Sequence, residues 1–538
     1  MPSTPTTKSQ VQAYQFVLRR MQSALVRRDA VMLHDPMRTH SRATIVGVVL
    51  SAIAMLGFVI FGFFRPAPTA PESGIVVGEQ SGSIYVVTSN PRKLIPTFNL
   101  ASARLILMAQ QQQSGEGGGQ QSGAVQVADA KVVPDEQLKD IPRGRLQGIP
   151  DGPQLLPTKD QMISPRWAVC DQITLDSTLT DEEARKDAEI STTVFAGLQN
   201  YGRELGVREG LLVEAEDGRN YLIYRQQNTQ AGVGNAVRAE VDLNDAAVRS
   251  ALRLQPDQVR QISLGLLNAI PAVAKLTTPR IEGAGEATQG FNLDALPVGA
   301  VFQVNRTDRI LHYVVLRAGV QEIPQAAAEM IRSADTQTDV VPSVHPDKLQ
   351  SVPTLTQGQP GTIDLRHYPQ FTPEIIDQSL RGVSCLGWSV QGEGSERNAH
   401  TAVYVESQLP GPKDGQNNAQ VVGIGTPAPD NWKIDSFYLQ PGFAAVVRSA
   451  TTADTFGRGS IQLISDRGMR YSIPTQAIAE HLGFAPDDLQ PAPESIIKLL
   501  PVGASLNPQS VMRTFDSVPV DPEAGTFEEA PQAASGGN

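Results

Sequence analysis

"RTHSRATIVGVVLSAIAMLGFVIFGFFRPAPTAPESG", Arg38–Gly74, is the stretch on which the architecture turns. Ala43–Phe64 is a run of 22 residues without a charge. As a helix it rises about 33 Å, enough for a hydrocarbon core of about 30 Å. Arg42 and Arg65-Pro66 give it sharp polar edges. A cleaved secretory leader has a short basic start and an apolar core of about 7–15 residues. Here 42 residues precede a longer apolar run. The stretch therefore reads as a membrane anchor over 43–64, with cleavage near Ala70 as the alternative. A buried helix of a soluble core fits poorly, because 22 uncharged residues exceed what such a helix needs.

Basic residues near a span stay on the cytoplasmic side. Lys8, Arg19, Arg20, Arg27, Arg28, Arg38 and Arg42 precede the span, whereas Arg65 stands alone after it until Arg92. The expected topology is single-pass, with residues 1–42 in the cytoplasm and the body outside. The head has seven basic and two acidic residues, a charge of +5. The whole chain is −11, which leaves −16 for the rest. An acidic body repels nucleic acid. The basic head suits anionic headgroups, and topology alone accounts for it equally well.

Within the head, Val11, Tyr14, Leu18, Met21 and Leu25 are spaced 3, 4, 3, 4, one apolar stripe on a helix. Nothing in its own 42 residues can cover that stripe, so a partner helix or a membrane surface is expected. Pro36 is expected to break the chain before the span. Within the span Ala43, Gly47 and Ser51 form a small-xxx-small row of the kind that lets helices approach closely.

The body has two cysteines, Cys170 and Cys385, too few for a zinc site. Outside the membrane such a pair reads as a disulfide rather than two free thiols. Trp167 lies three before Cys170 and Trp388 three after Cys385, which suits indole packing beside a buried bridge.

The body also matches itself. "YVVTSNPRKLIP" (Tyr85–Pro96) recurs as "YVVLRAGVQEIP" (Tyr313–Pro324), 228 residues on and without a gap. Each reads as strand, turn and helix entry, with proline in the first turn of the helix that follows. Leu243–Leu276 lies over Ile473–Leu506 at an offset of 230. Leu252/Leu482, Pro256/Pro486, Asp257/Asp487, Pro271/Pro501, Ala274/Ala504 and Leu276/Leu506 are identical, and apolar positions match between them. The cysteines are 215 apart, close to the same distance. Two diverged halves are expected, each ordered repeat, central segment with cysteine, repeat. A pseudo-twofold axis would place the disulfide between the central segments. Gln110–Gly123 is low-complexity, and Thr514–Asn538, with five acids and no base, is expected to lack structure.

Motifs for chemistry are missing from the sequence. There is no GxxxxGK[ST], GxSxG or HExxH. Gly118–Gly123 is followed by Ala124-Val125 where a phosphate loop needs Lys and a hydroxyl. His312, His345, His367, His400 and His481 lie in unrelated contexts, although "VHPDK" and "DLRH" each put a carboxylate near an imidazole.

"TTKSQVQAYQFVLRRMQSALVRRDAVMLHDPMRTHSR" (Thr6–Arg42), followed at once by one span, resembles EccB, a membrane-complex component of the type VII (ESX) secretion systems of mycobacteria and other actinobacteria. "NLASARLIL" (Asn99–Leu107), "PRGRLQGIPDGP" (Pro142–Pro153), "WAVC" (Trp167–Cys170) and "CLGW" (Cys385–Trp388) are also similar to that family. The Gln/Gly-rich insert and long acidic tail depart from it. The resemblance implies an α+β fold: one N-terminal transmembrane helix and an elongated periplasmic region of four small α+β repeats around a central β-containing domain with one disulfide. The expected divisions are a cytoplasmic helix (1–42), the span (43–64), a linker (65–81), repeat 1 (82–155), the first central half (156–215), repeat 2 (216–280), repeat 3 (296–355), the second central half (356–455), repeat 4 (456–512) and an acidic tail (513–538).

The resemblance also implies an inner-membrane location and partners: an EccC-type motor ATPase, EccD, EccE and further EccB copies, with the mycosin protease nearby. The stripe of Val11, Tyr14, Leu18, Met21 and Leu25 is then a partner-docking helix. No catalytic or metal site is expected and no cofactor, although members of the family are described as ATPases, so ATP stays open on that description alone. The first expectation is a structural subunit of the export channel. The rivals are an enzyme on the same anchor, an ATPase or wall hydrolase, and a cell-wall-binding ectodomain.

Overall fold

The computed structural model describes residues 7–28, 36–64, 69–113, 127–176, 178–180, 183–184, 188–226, 235–334, 340–392, 396–416, 418–425 and 434–518. The chain divides into two units, Met1–Thr69 and Ala70–Asn538.

The first unit holds α1 (Lys8–Arg27) and α2 (Pro36–Phe64). Thr7 and Gln10 form a capping box at the start of α1, and Arg28 closes it in the left-handed conformation. Pro36 was expected to break the chain; it opens α2 instead, because the first helical position has no use for the N–H that proline lacks. Arg42–Gly62 within α2 is long and apolar enough to cross a membrane, with a mean hydropathy of 2.6.

The second unit is mixed α+β. Along the chain come β1 (Gly74–Gly78), β2 (Ile84–Ser89), β3 (Arg92–Thr97), α3 (Leu100–Gln113), β4 (Ala130–Val133) and β5 (Leu146–Gln147). Next are β6 (Arg166–Thr174), β7 (Glu189–Ala196) and β8 (Arg203–Glu204). Then follow β9 (Glu209–Glu214), β10 (Asn220–Arg225), β11 (Ala236–Val241), α4 (Ala246–Ala251), β12 (Arg260–Gln261), α5 (Leu264–Ala269) and β13 (Ala272–Val273). A third stretch holds β14 (Val301–Asn305), β15 (Ile310–Leu316), β16 (Gly319–Ile323), α6 (Gln325–Ala334), β17 (Thr354–Leu355) and β18 (Glu374–Ile375). After β19 (Val383–Gln391), β20 (Asn398–Glu406), β21 (Val422–Gly423) and β22 (Ser436–Tyr438) come β23 (Ala445–Ala450), β24 (Ile461–Ile464) and β25 (Arg470–Ile473). α7 (Gln476–His481), β26 (Gln490–Pro493), α8 (Glu494–Ile497) and β27 (Thr514–Phe515) complete it.

Among the described residues these strands make five sheets. Four share a plan: three antiparallel strands, with a parallel neighbour beside the first and another beside the third. β4 lies beside β1 and β5 beside β3. β12 lies beside β9 and β13 beside β11. In the third sheet Ser343 bridges Gln303 of β14, and β17 pairs β16. In the fourth, β26 pairs β23, and Val502 bridges Arg470 of β25. The fifth sheet runs β21-β22-β7-β6-β19-β20-β8.

The first and fourth sheets share one apolar core, with α3 against α7. The second and third share another, with α4 against α6. A third core joins one face of the fifth sheet to the second and fourth sheets through α5 and α8. Covering such faces with apolar side chains is what holds sheets together, at roughly 25 cal/mol per Å² buried.

Four expectations need adjusting. Tyr85–Pro96 is a hairpin, Tyr85 pairing with Pro96, and not strand-to-helix. The helix begins later, at Leu100, because the Asn99 side chain caps it by accepting from the Ser102 N–H. β1 lies inside the stretch read as linker, since one apolar "IVV" between glycines looks like little from sequence. The first strands of the second and fourth sheets likewise begin before residues 216 and 456. In the stretch read as an unstructured tail, Thr514 and Phe515 pair with Gln147 and Leu146, and Phe515 meets the Phe98 ring edge-on at 5.4 Å. Residues 519–538 and most of the Gln/Gly-rich insert lie outside the described residues.

Candidate functional site

The stripe of Val11, Tyr14, Leu18, Met21 and Leu25 lies on α1 with every member exposed, from 39% at Leu18 to 82% at Leu25. Val17, 51% exposed, falls on the same side and widens it. In α2 Ser51 Oγ donates to the Gly47 carbonyl at 2.8 Å, so the hydroxyl in the small-residue row is satisfied within its own helix.

The similar motifs of the body meet in two places. Asn99 Nδ2 donates to the Ile149 carbonyl at 2.9 Å, and the Ile149 N–H donates to Ser102 Oγ at 2.9 Å. "NLAS" therefore clamps "GIP" across some fifty residues of chain. Gly148 sits at φ +126°, and a Cβ there would come within 2.6 Å of Ser102. Gly148→Val is expected to destabilise the body by about 3 kcal/mol, from strain and overpacking together. A fall in the urea midpoint of the purified chain measures it; an unchanged midpoint refutes the clamp.

The other meeting is at the centre. β6 and β19 pair antiparallel with Cys170 directly opposite Cys385, and the two are joined as a disulfide. Trp167 stands opposite Trp388 in the same ladder. The indoles do not pack beside the bridge, as the sequence spacing had led us to expect. Three residues along a strand is an odd step, so they point to the other face. The tryptophans join the core shared with α5 and α8, while the cysteines pack with Ala168, Phe195, Tyr201 and Val383. Gly387 lies on the cysteine face, where a Cβ would come within 2.7 Å of the Tyr404 ring.

Asp171, next to Cys170, is fully buried and was not foreseen. It accepts from the Ser263 N–H at 2.8 Å, Ser263 Oγ at 2.7 Å and Thr192 Oγ1 at 2.9 Å. Burial pushes its carboxyl above the ordinary range, against those hydrogen bonds and the Arg260 charge. Arg260 is 2% exposed; burial pushes it down to about 10. Its Nη2 donates to the carbonyls of Arg381 at 3.1 Å and Gly382 at 3.2 Å. Because Ser263 caps α5, the carboxylate ties β6, β7 and α5 into one knot.

The histidines do not converge. His312 is on β15, His400 on β20 and His481 ends α7, while His345 caps a short turn and His367 lies against Tyr368 at 4.8 Å. Hydrogen bonds from Arg366 hold the Asp364 carboxyl well below its usual range, so "DLRH" uses its acid on the arginine. Among the described residues, no three His, Cys, Asp or Glu side chains are grouped to hold a metal.

A family model described as "Type VII secretion system ESX-1, transport TM domain B" matches residues 3–520. The chain belongs to the EccB family. That family is part of the type VII secretion membrane complex. The chain is 28% identical to the ESX-3 secretion system ATPase EccB3 of Mycolicibacterium smegmatis, over 97% of this chain and 93% of that one. A chain in the intact ESX-5 inner membrane complex has a TM-score of 0.65 at 24% identity, covering 98% of this chain and 99% of that chain. The EccB3 dimer from the ESX-3 core complex gives 0.62 at 24%, covering 82% of this chain and all of its own. These structures establish the fold of this EccB-family chain.

Proposed function

We propose that the chain is a structural, non-motor subunit of an ESX inner-membrane complex that shapes the outer face of its export channel. The observation that carries this is the family match over residues 3–520, which takes in head, span and body together. The basic head lies in the cytoplasm and the acidic body in the periplasm, by the charge bias around the span. The stripe on α1 docks a cytoplasmic partner of the EccC, EccD or EccE kind, and the body assembles with further copies of itself, as the ESX-3 relative does in its dimer.

The body is two diverged halves, with four α+β repeats around a central domain. Three observations support this. The four outer sheets share one plan. α4, β12 and α5 begin 230 residues before α7, β26 and α8, the offset of the sequence match. The cores pair the first sheet with the fourth and the third with the second, as a twofold relating the halves requires.

The test is a pull-down from detergent-solubilised native membranes with a carboxy-terminal tag. Co-purification of a motor ATPase and multi-span partners is expected with the full chain and lost when residues 1–30 are removed. A full-length chain that emerges alone overturns the subunit reading. A second reading, ATP hydrolysis, is favoured by the name of the Mycolicibacterium relative. Phosphate release by the purified chain, lost with a body substitution, would support it.

A further inference from the structure

We infer that α1 carries a second docking face, for an anionic lipid surface, on the side away from its apolar stripe. Residues 8–28 hold five basic side chains and no acidic one. At 3.6 residues per turn, Lys8, Arg19 and Arg20 fall within an arc of about 120°. The stripe, with Val17, occupies an arc of about the same width centred opposite. Phe16, 59% exposed, lies inside the basic arc and outside the stripe, so the stripe does not account for it.

In a helix that lies stripe-down on a bilayer, the basic side chains that reach the headgroups are those whose long stems flank the apolar face. Here they stand opposite. The stripe calls for an apolar partner, whereas arginine, lysine and an aromatic ring together suit phosphate headgroups with acyl chains beneath. Seven residues separate Arg28 from Pro36, and six helical positions then lead to Arg42. That chain reaches about 35 Å at most, so the bilayer surface is the anionic surface always within range. Tethering raises its effective concentration without any new contact. α1 thus lies between headgroups and partner, one face on each.

This rests on reading Arg42–Gly62 as a span and not on the protein docking proposed above, since the test contains no partner. The full-length chain, spin-labelled after Phe16→Cys, is placed in nanodiscs of phosphatidylcholine or of phosphatidylglycerol. The native cysteines are buried in their disulfide and do not label. Accessibility of position 16 to a nickel chelate is expected to fall several-fold in phosphatidylglycerol. High salt, or Arg19→Glu with Arg20→Glu, should restore it. A label after Leu18→Cys should stay accessible in both lipids. Equal accessibility of position 16 in the two lipids overturns the inference, and so does protection of position 18 in place of 16, which would mean the stripe faces the bilayer.

Discussion

Replacing Cys170 and Cys385 together by alanine is expected to destabilise the body by about 5 kcal/mol, the largest single effect anticipated in this chain. The bridge closes a loop of 215 residues. In the chain-entropy account, its loss frees the unfolded chain far more than it disturbs the native one. The native side should suffer little. β6 and β19 keep their own ladder, and the cysteines sit among Ala168, Phe195 and Val383, where alanine fits. Urea unfolding of the purified chain in detergent reads the effect as a lower midpoint with a steeper slope, since the freed unfolded chain exposes more surface. Reductant should leave the wild type unaffected until it unfolds, since both sulfurs are in side chains no more than 1% exposed. A double variant that unfolds at the wild-type midpoint would show that the sheet, not the bridge, keeps the two central strands together.

The disulfide was legible because two cysteines allow one pairing within the chain. The side of the sheet it occupies was not. "WAVC" and "CLGW" suggested indoles against sulfur, but only the strand period, not the spacing of letters, decides which residues share a face. The long apolar helix α2 was legible from its lack of charge. β1 pairs with β2, the next strand along, but its five residues have too little pattern to announce themselves; β27 is shorter still, and its partner β5 lies far back along the chain. The Asn99–Ile149 clamp joins two motifs that resemblance had marked, yet nothing in either one says that it touches the other. Asp171 is the hardest case. It is one of 56 acidic residues, and its donors come from 21 and 92 positions away.

Asp171→Ala is expected to destabilise the body by about 3 kcal/mol, and Asp171→Asn by about 1 kcal/mol. The difference follows from what each leaves behind. Alanine strips the acceptor from the Ser263 N–H, which is fixed by the turn into α5 and cannot be re-aimed. It also removes the nearby charge that favours the buried Arg260 guanidinium. Asparagine can put its one oxygen on the Ser263 N–H and its amide against the two hydroxyls, which can rotate to accept. The two variants should also lose a pH dependence. Burial raises the folded pKa of Asp171 above its unfolded value near 3.8, so the native state holds this proton to higher pH. Its contribution to stability is therefore greatest at low pH and declines as pH rises from the unfolded toward the folded value. The stability difference between wild type and Asp171→Asn should accordingly shift against the wild type as pH rises through that window. Equal midpoints for the alanine and asparagine variants would mean that the knot is filled volume rather than hydrogen bonds. A pH-independent difference between wild type and asparagine would mean that the carboxyl titrates alike, folded and unfolded.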